Sequence, residues 1–289
     1  MAFERLRALL PGPLSSGAPV VPVLRLAGPI GVRTSPFQQS LSLAGLAGPI
    51  KRLFSLKKAE AVAIVINSPG GSPVQSNLIF KRIRQLADEN EKKVFVFVED
   101  VAASGGYFIA VAGDEIIADP SSIVGSIGVV SASFGFVEAI GKIGVERRVH
   151  TAGEKKVMFD PFQPEKAEDV KRLKALQKDI HETFTGVVKS RRGDKLKGEE
   201  KDLFSGEFWT GNKALELGLI DRIGDLRSVL RAEYGDKVVT PVIPTQKRGL
   251  FGVSRSPSVG SSGEMIARAA ASGLVEAVEE RELWARYGL

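Results

Sequence analysis

The sequence predicts an α/β fold, a sheet of buried strands covered by helices. Three short runs carry that prediction: Val62–Ile66, Val94–Val98 and Ile127–Val130. Each is apolar at consecutive positions, the pattern of a strand buried on both faces rather than one facing water on one side. Between the first two, residues 72–90 place Leu78, Ile79, Ile83 and Leu86 at helical spacing, with Lys81, Arg82 and Arg84 around them. Strand, helix and strand with short connections form the βαβ unit.

The remaining elements follow in order. Residues 1–19, rich in Pro, Gly and Ser, read as a flexible arm, and order is expected to begin at the apolar run Val20–Leu24. A short helix is predicted from Ser104 to about Ala112. A long one runs from Pro164, a residue suited to a first helical turn, to about Lys189. Its stripe Ala167, Val170, Leu173, Leu176, Ile180, Phe184 and Val187 recurs at steps of three and four and reads as a core face. A short strand near Gly206, a helix over Asn212–Leu217 and a strand at Leu219–Ile220 complete a main domain over 20–245. Residues 246–263 read as a Gly/Ser/Arg linker, and residues 264–289 as a C-terminal helix with more acid than base, a docking or oligomer-contact element.

Composition narrows the chemistry. The 289 residues suffice to bury a core, and 43% hydrophobic content fits a globular chain. Cysteine is absent, which removes disulfides, thiolate metal sites and cysteine nucleophiles. Only His150 and His181 are available, so a histidine-rich metal cluster is excluded, and no cofactor is called for. The net charge of +6 is spread in small clusters such as Lys57-Lys58 and Arg191-Arg192. With no aromatic-basic platform, nucleic acid is not an expected partner. No stretch is apolar enough to span a bilayer, and Pro11 and Pro13 interrupt the N-terminal apolar segment before a secretory signal develops. A cytoplasmic protein is expected, its charge compatible with peripheral contact at the inner face of a membrane.

Three loops could carry chemistry. Asn67-Ser68-Pro69-Gly70-Gly71 ends the first buried strand, where α/β proteins place ligands. Its glycines allow close backbone approach and N–H groups aimed at a developing oxyanion, although an ordinary strand-to-helix turn would look the same. Ala103-Ser104-Gly105-Gly106-Tyr107 starts a helix after the second strand, and Ser104 there is a nucleophile or a helix cap. A serine nucleophile needs a base. His150 at the close of an expected strand and His181 on the long helix are two candidates. Thr151-Ala152-Gly153-Glu154-Lys155-Lys156 offers a lysine, which burial could bring to neutrality, or two solvated surface charges.

Taken together, from about Val20 to Pro244, the ordered motifs resemble the signal peptide peptidase family, the SppA/SohB-like serine–lysine peptidases. The loops at 67–71 and 103–107 resemble its oxyanion loop and nucleophile turn. Gly125-Ser126-Ile127-Gly128-Val129 resembles its next segment, and Ala152–Lys156 with Asp160-Pro161-Phe162 its lysine loop. Trp209-Thr210-Gly211 through Ala214, with Gly218-Leu219-Ile220-Asp221, resembles its C-terminal signature. The resemblance implies a ClpP/crotonase-type fold, a repeated ββα superhelix in a single main domain with a C-terminal helical extension. It also implies Ser104 as nucleophile and Lys156 as base, with Ser126 orienting the lysine. Gly70 and Gly71 would be the oxyanion donors, and Gly105 would leave room for substrate. Lys155 replaces an aromatic residue expected beside the base. Where the related ClpP peptidases have a histidine, this chain has Val129. The resemblance further implies peptide substrates of the signal-peptide or hydrophobic type and a homo-oligomeric ring or dome. A crotonase-type acyl-CoA enzyme and a non-catalytic oligomeric scaffold are the competing readings.

Overall fold

A computed structural model describes residues 17–31, 40–153, 155–245 and 281–289. Most of the expected N-terminal arm, the 246–263 linker and the helix over 264–280 lie outside the described residues. In chain order the elements are β1 (Val23–Ala27), α1 (Leu43–Phe54), β2 (Ala61–Ser68), α2 (Pro73–Glu89), β3 (Lys93–Ala103) and α3 (Gly105–Ala110). They continue with β4 (Glu115–Ala118), β5 (Ile123–Gly125), α4 (Val137–Lys142), α5 (Ala167–Arg192), α6 (Glu200–Leu203), β6 (Phe208–Thr210), α7 (Gly211–Glu216), β7 (Arg222–Ile223) and α8 (Leu226–Tyr234). Residues 281–285 are again helical.

The predicted α/β class is the one observed. Strands β1, β2, β3, β4 and β7 lie side by side in that order, all parallel. Every residue of β2 is buried, as its unbroken apolar run requires. Alternate side chains go to opposite faces. Val62, Ile64 and Ile66 join Val94, Val96 and Val98 under α1, α2 and α3. Ala63 and Val65 join Phe95, Phe97 and Ile117 against Val229 and Leu230 of α8. Burying each large side chain of this kind contributes about 1.5–3 kcal/mol. Helix α2 starts where the sequence allows it: Ser72 Oγ accepts from Gln75 N, and Pro73 fills the first turn.

Strand β3 changes partners along its length. Phe95–Val98 pair with β4, whereas Val101–Ala103 pair with β5, and the β2–β3 register shifts between Ile66 and Ser68. Asn67 fills that irregularity. Its Nδ2 donates to Asp100 Oδ2 at 2.6 Å and its Oδ1 accepts from Val101 N at 3.2 Å. This clamp holds the bend that carries the chain towards Ser104.

Several expectations are corrected. Residues 127–130 form no strand; the third buried strand is β5, just before them. Gly125 at φ 115° and Ser126 at φ 53° turn the chain off the sheet. Leu219–Ile220 is a buried turn rather than a strand, and β7 follows it. The long helix starts at Ala167, after Pro164, and only part of its stripe is core. Phe184 and Val188 are buried, but Leu176 and Ile180 are exposed. Its second half packs on α3, with Phe184 stacked on Phe108. Its first half follows the connection 129–166, where none of the described apolar side chains is buried. Val130, Phe134 and Ile143 are 69, 78 and 74% exposed, a surface that the fold of one chain does not use.

The 218–221 signature is structural. Arg192, almost wholly buried, donates from Nη1 to Asp221 Oδ2 at 2.8 Å and from Nε and Nη2 to the Gly218 carbonyl. Asp221 also accepts from Lys195 Nζ and Ile116 N. Burial pushes the Asp221 carboxyl up, but the hydrogen bonds and charges of Arg192 and Lys195 outweigh it and hold the group below its ordinary value. Folding therefore lowers this pKa. The contribution is complete above the usual aspartate value of about 3.9 and fades as pH falls through the folded value. Asp221→Asn is expected to cost about 3 kcal/mol at neutral pH, because it leaves Arg192 buried without its counter-charge. Urea midpoints of both proteins should converge as the pH is lowered below about 4; a pH-independent gap would contradict the linkage.

Candidate active site

The register brings three strand ends together. Ser68 lies opposite Ala102, and Ala103 lies opposite Gly125. Loops leaving β2, β3 and β5 thus emerge at one carboxyl edge, the usual ligand position in such sheets. Because β3 and β5 are parallel and adjacent, with strands about 5 Å apart, Ser104 and Ser126 leave the sheet side by side.

Ser104 sits at φ 51°, ψ −121°, a conformation strained for any residue with a side chain. Its N–H donates to the Gly125 carbonyl at 2.8 Å and its carbonyl accepts from Phe108 N. The hydroxyl makes no capping hydrogen bond, although Ser104 occupies the N-cap of α3. From Val101 to Gly113 every residue but Ser104 is buried. The backbone is tied down and the hydroxyl is left uncommitted, the reverse of an ordinary cap.

The glycines pack against this turn. A side chain on Gly70 (φ 106°) would put its Cβ 2.8 Å from Ser104 Cβ, and one on Gly71 (φ 137°) would collide with the Ile30 carbonyl. One on Gly105 would collide with Ser76 Oγ, and one on Gly106 would come within 2.5 Å of the Ser68 carbonyl. Ile30 N donates to the Gly70 carbonyl and Ser72 N to the Ile30 carbonyl, both at 2.7 Å. This bridge leaves the Gly71 N–H facing the other way, towards Gly105. Gly70 N–H is directed to Ser68 Oγ at 3.3 Å.

Beside Ser104 opens a cleft of about 190 Å³, lined by Val74, Phe108, Val129, Ile180 and Phe184 with Gly71 and Gly105. Its wall is predominantly apolar. Tyr107, next to the glycines, is no part of it: its buried hydroxyl donates to the Leu219 carbonyl at 2.8 Å, and burial raises its pKa.

The candidate bases separate clearly. His181 Nε2 donates to the Ile127 carbonyl at 3.0 Å and so joins α5 to the strand-end loop. His150 is exposed, in a stretch without strand structure. Lys155 and Lys156 are exposed on the 129–166 connection, and among the described residues no hydrogen bond joins either to Ser104 or Ser126. Ser126 is half-buried, with its N–H on the Glu207 carbonyl at 2.7 Å. Within one chain the structure therefore brings Ser104, Ser126, Gly70, Gly71 and Gly105 together, and among the described residues hydrogen-bonds neither lysine to them. The clamp of Asn67 on Asp100, and the Ile30 carbonyl that turns Gly71, were not legible as site features. Both depend on pairings between distant segments.

The chain is 60% identical over 98% of its length to a Na(+)/H(+) antiporter NhaA of Brucella abortus (strain 2308), covering 39% of that protein. It is 30% identical over 74% of its length to the chloroplastic serine protease SPPA of Arabidopsis thaliana, covering 32% of it. The chain thus spans well under half of these curated relatives. Among its described residues no helix is long and apolar enough to cross a membrane. Residues 87–239, just over half of the chain and including Ser104, Ser126 and both lysines, match the sequence model of peptidase family S49. The chain belongs to peptidase family S49.

Proposed function

We propose that this chain is a serine endopeptidase in which Ser104 attacks the peptide carbonyl and Lys156 is the general base. The observation that carries the reading is the Ser104 turn: a strained backbone, an uncommitted hydroxyl, a glycine N–H opposite and an apolar cleft alongside. The neutral Lys156 amine takes the Ser104 Oγ proton as the Oγ–C bond forms. The resulting oxyanion is held by the N–H groups of Gly71 and Gly105; Gly70, expected as a donor with Gly71, directs its N–H to Ser68 Oγ instead and permits the close approach of the loop. Collapse breaks the C–N bond, and the lysine returns the proton to the leaving amine. Water, deprotonated by the same lysine, then releases the acyl group and restores Ser104. Ser126 Oγ orients the lysine amine.

A lysine base needs an environment that strips water from its amine. Lys156 is exposed among the described residues, so the reading includes a homo-oligomer, a ring or dome in which Lys156 of one copy docks at Ser104 of the next. The exposed Val130, Phe134 and Ile143 provide apolar surface for that contact. The peptidase unit is residues 20–245. The substrates are signal-peptide remnants or other hydrophobic peptides, in keeping with the apolar cleft. Cytoplasmic placement, with the net positive charge against an anionic membrane surface, belongs to the same proposal. A fluorophosphonate probe tests it: stoichiometric labelling of Ser104, with loss of casein hydrolysis, is expected. An unlabelled Ser104 in an assembled, folded sample would favour a crotonase-type or scaffold reading instead.

A further inference from the structure

The described chain returns to the site at residues 281–289. The Tyr287 ring meets Phe208 edge-on, with centroids 5.2 Å apart. Its hydroxyl lies 3.3 Å from Ser126 Oγ and 3.4 Å from the Pro69 carbonyl oxygen. Phe208 is itself fixed beside Ser126, because it pairs with Gly125 across β5 and β6. One phenol thus spans the loop after β2 and the loop after β5, on either side of the Ser104 turn.

Position and chemistry both matter here. The Tyr287 phenol and its ring take up space beside Ser126 Oγ that an incoming side chain would need. A lysine amine held by Ser126 must reach that oxygen, and the Tyr287 phenol is directed at it with a ring alongside. The hold is light. Both polar distances lie at the long end of hydrogen-bonding range. Leu289 is 51% exposed, and Arg286 pairs only loosely, at 3.9 Å, with Glu282 of the same turn. A contact of this strength can be populated and still be displaced by a competitor.

We propose that residues 281–289 are a built-in occupant of the lysine seat, with Tyr287 as the plug that must leave before Lys156 of a second copy can reach Ser126. The inference rests on the assignment of Ser126 and Lys156 made above. The chain would then carry its own brake, released by assembly or by a peptide that competes for the Phe208 surface.

Two measurements test this, one of them independent of catalysis. Tyr287→Ala is expected to raise peptide hydrolysis several-fold at an unchanged unfolding midpoint; an unchanged or lower rate overturns the plug. The second uses the absence of native cysteine. In chains carrying Ser126→Cys and Lys156→Cys, a short reversible thiol cross-linker should join two copies, several-fold faster when Tyr287→Ala is added. Equal rates with and without Tyr287 overturn the plug and leave the lysine assignment standing. No inter-chain link in either protein removes the lysine assignment and the plug with it.

Discussion

Chains carrying Ser104→Ala and chains carrying Lys156→Ala are each expected to be inert, and an equimolar mixture of the two is expected to recover hydrolysis. Removing a nucleophile or its base from a serine hydrolase lowers kcat by on the order of 10⁶-fold, so the residual rate of each variant should be close to background. Recovery follows from geometry. Lys156 is exposed on a connection that buries no apolar side chain, whereas Ser104 and Ser126 are fixed at the sheet edge. If the amine arrives from a neighbour, a mixed assembly pairs an intact Ser104 with an intact Lys156 at one interface in four, giving roughly a quarter of the wild-type rate. A dead mixture, with both variants assembled, would place the dyad within one chain. Lys155→Ala is the internal control. It should retain most activity, and its loss in place of Lys156→Ala would transfer the role of base to Lys155.

The second large effect is expected at Gly71. Its φ of 137° is a conformation that side-chain-bearing residues rarely adopt, and an added Cβ would strike the Ile30 carbonyl. Gly71→Ala must break the bridge to Ile30 or rotate the peptide, and either moves the N–H proposed to face the oxyanion. Removing one such donor costs about 10²–10³-fold in kcat. The backbone strain costs a further 1–3 kcal/mol or so of stability. A kcat fall of that size, measured well below the unfolding midpoint, is the expected result. A variant that loses stability but keeps its kcat would show that Gly71 serves packing alone. Gly31→Ala, where nothing lies within 4 Å of the new methyl and φ is unremarkable, should leave both quantities unchanged.

Much of this site was legible because local chemistry decided it. The run Val62–Ile66 could only be a strand buried on both faces. Leu78, Ile79, Ile83 and Leu86 marked a helix by their spacing, and a serine followed by two glycines after a buried strand marked the turn at 104. What escaped was set by pairing at a distance. Residues 127–130 read as a strand by composition, but Gly125 and Ser126 take positive φ under the demands of β5 pairing, and the chain leaves the sheet. The stripe of α5 has core periodicity throughout, yet only its second half reaches the core, where Phe184 stacks on Phe108 of α3. Periodicity records which face is apolar and says nothing of whether a partner is present. Tyr287 carried no local signal, since its meaning arises from Phe208 and Ser126, which reach it only through the folded topology.

The connection 129–166 contributes no apolar side chain to the interior. Away from Asp160, whose buried carboxylate pairs with Arg147, substitutions at its exposed positions therefore cost the folded monomer little. Selection acting there would answer to the neighbouring copy rather than to the interior. The number of copies in the assembly and the positioning of the lysine could then drift between lineages while the strand-end loops stay as they are, so that quaternary architecture and chemistry evolve on separate parts of one chain.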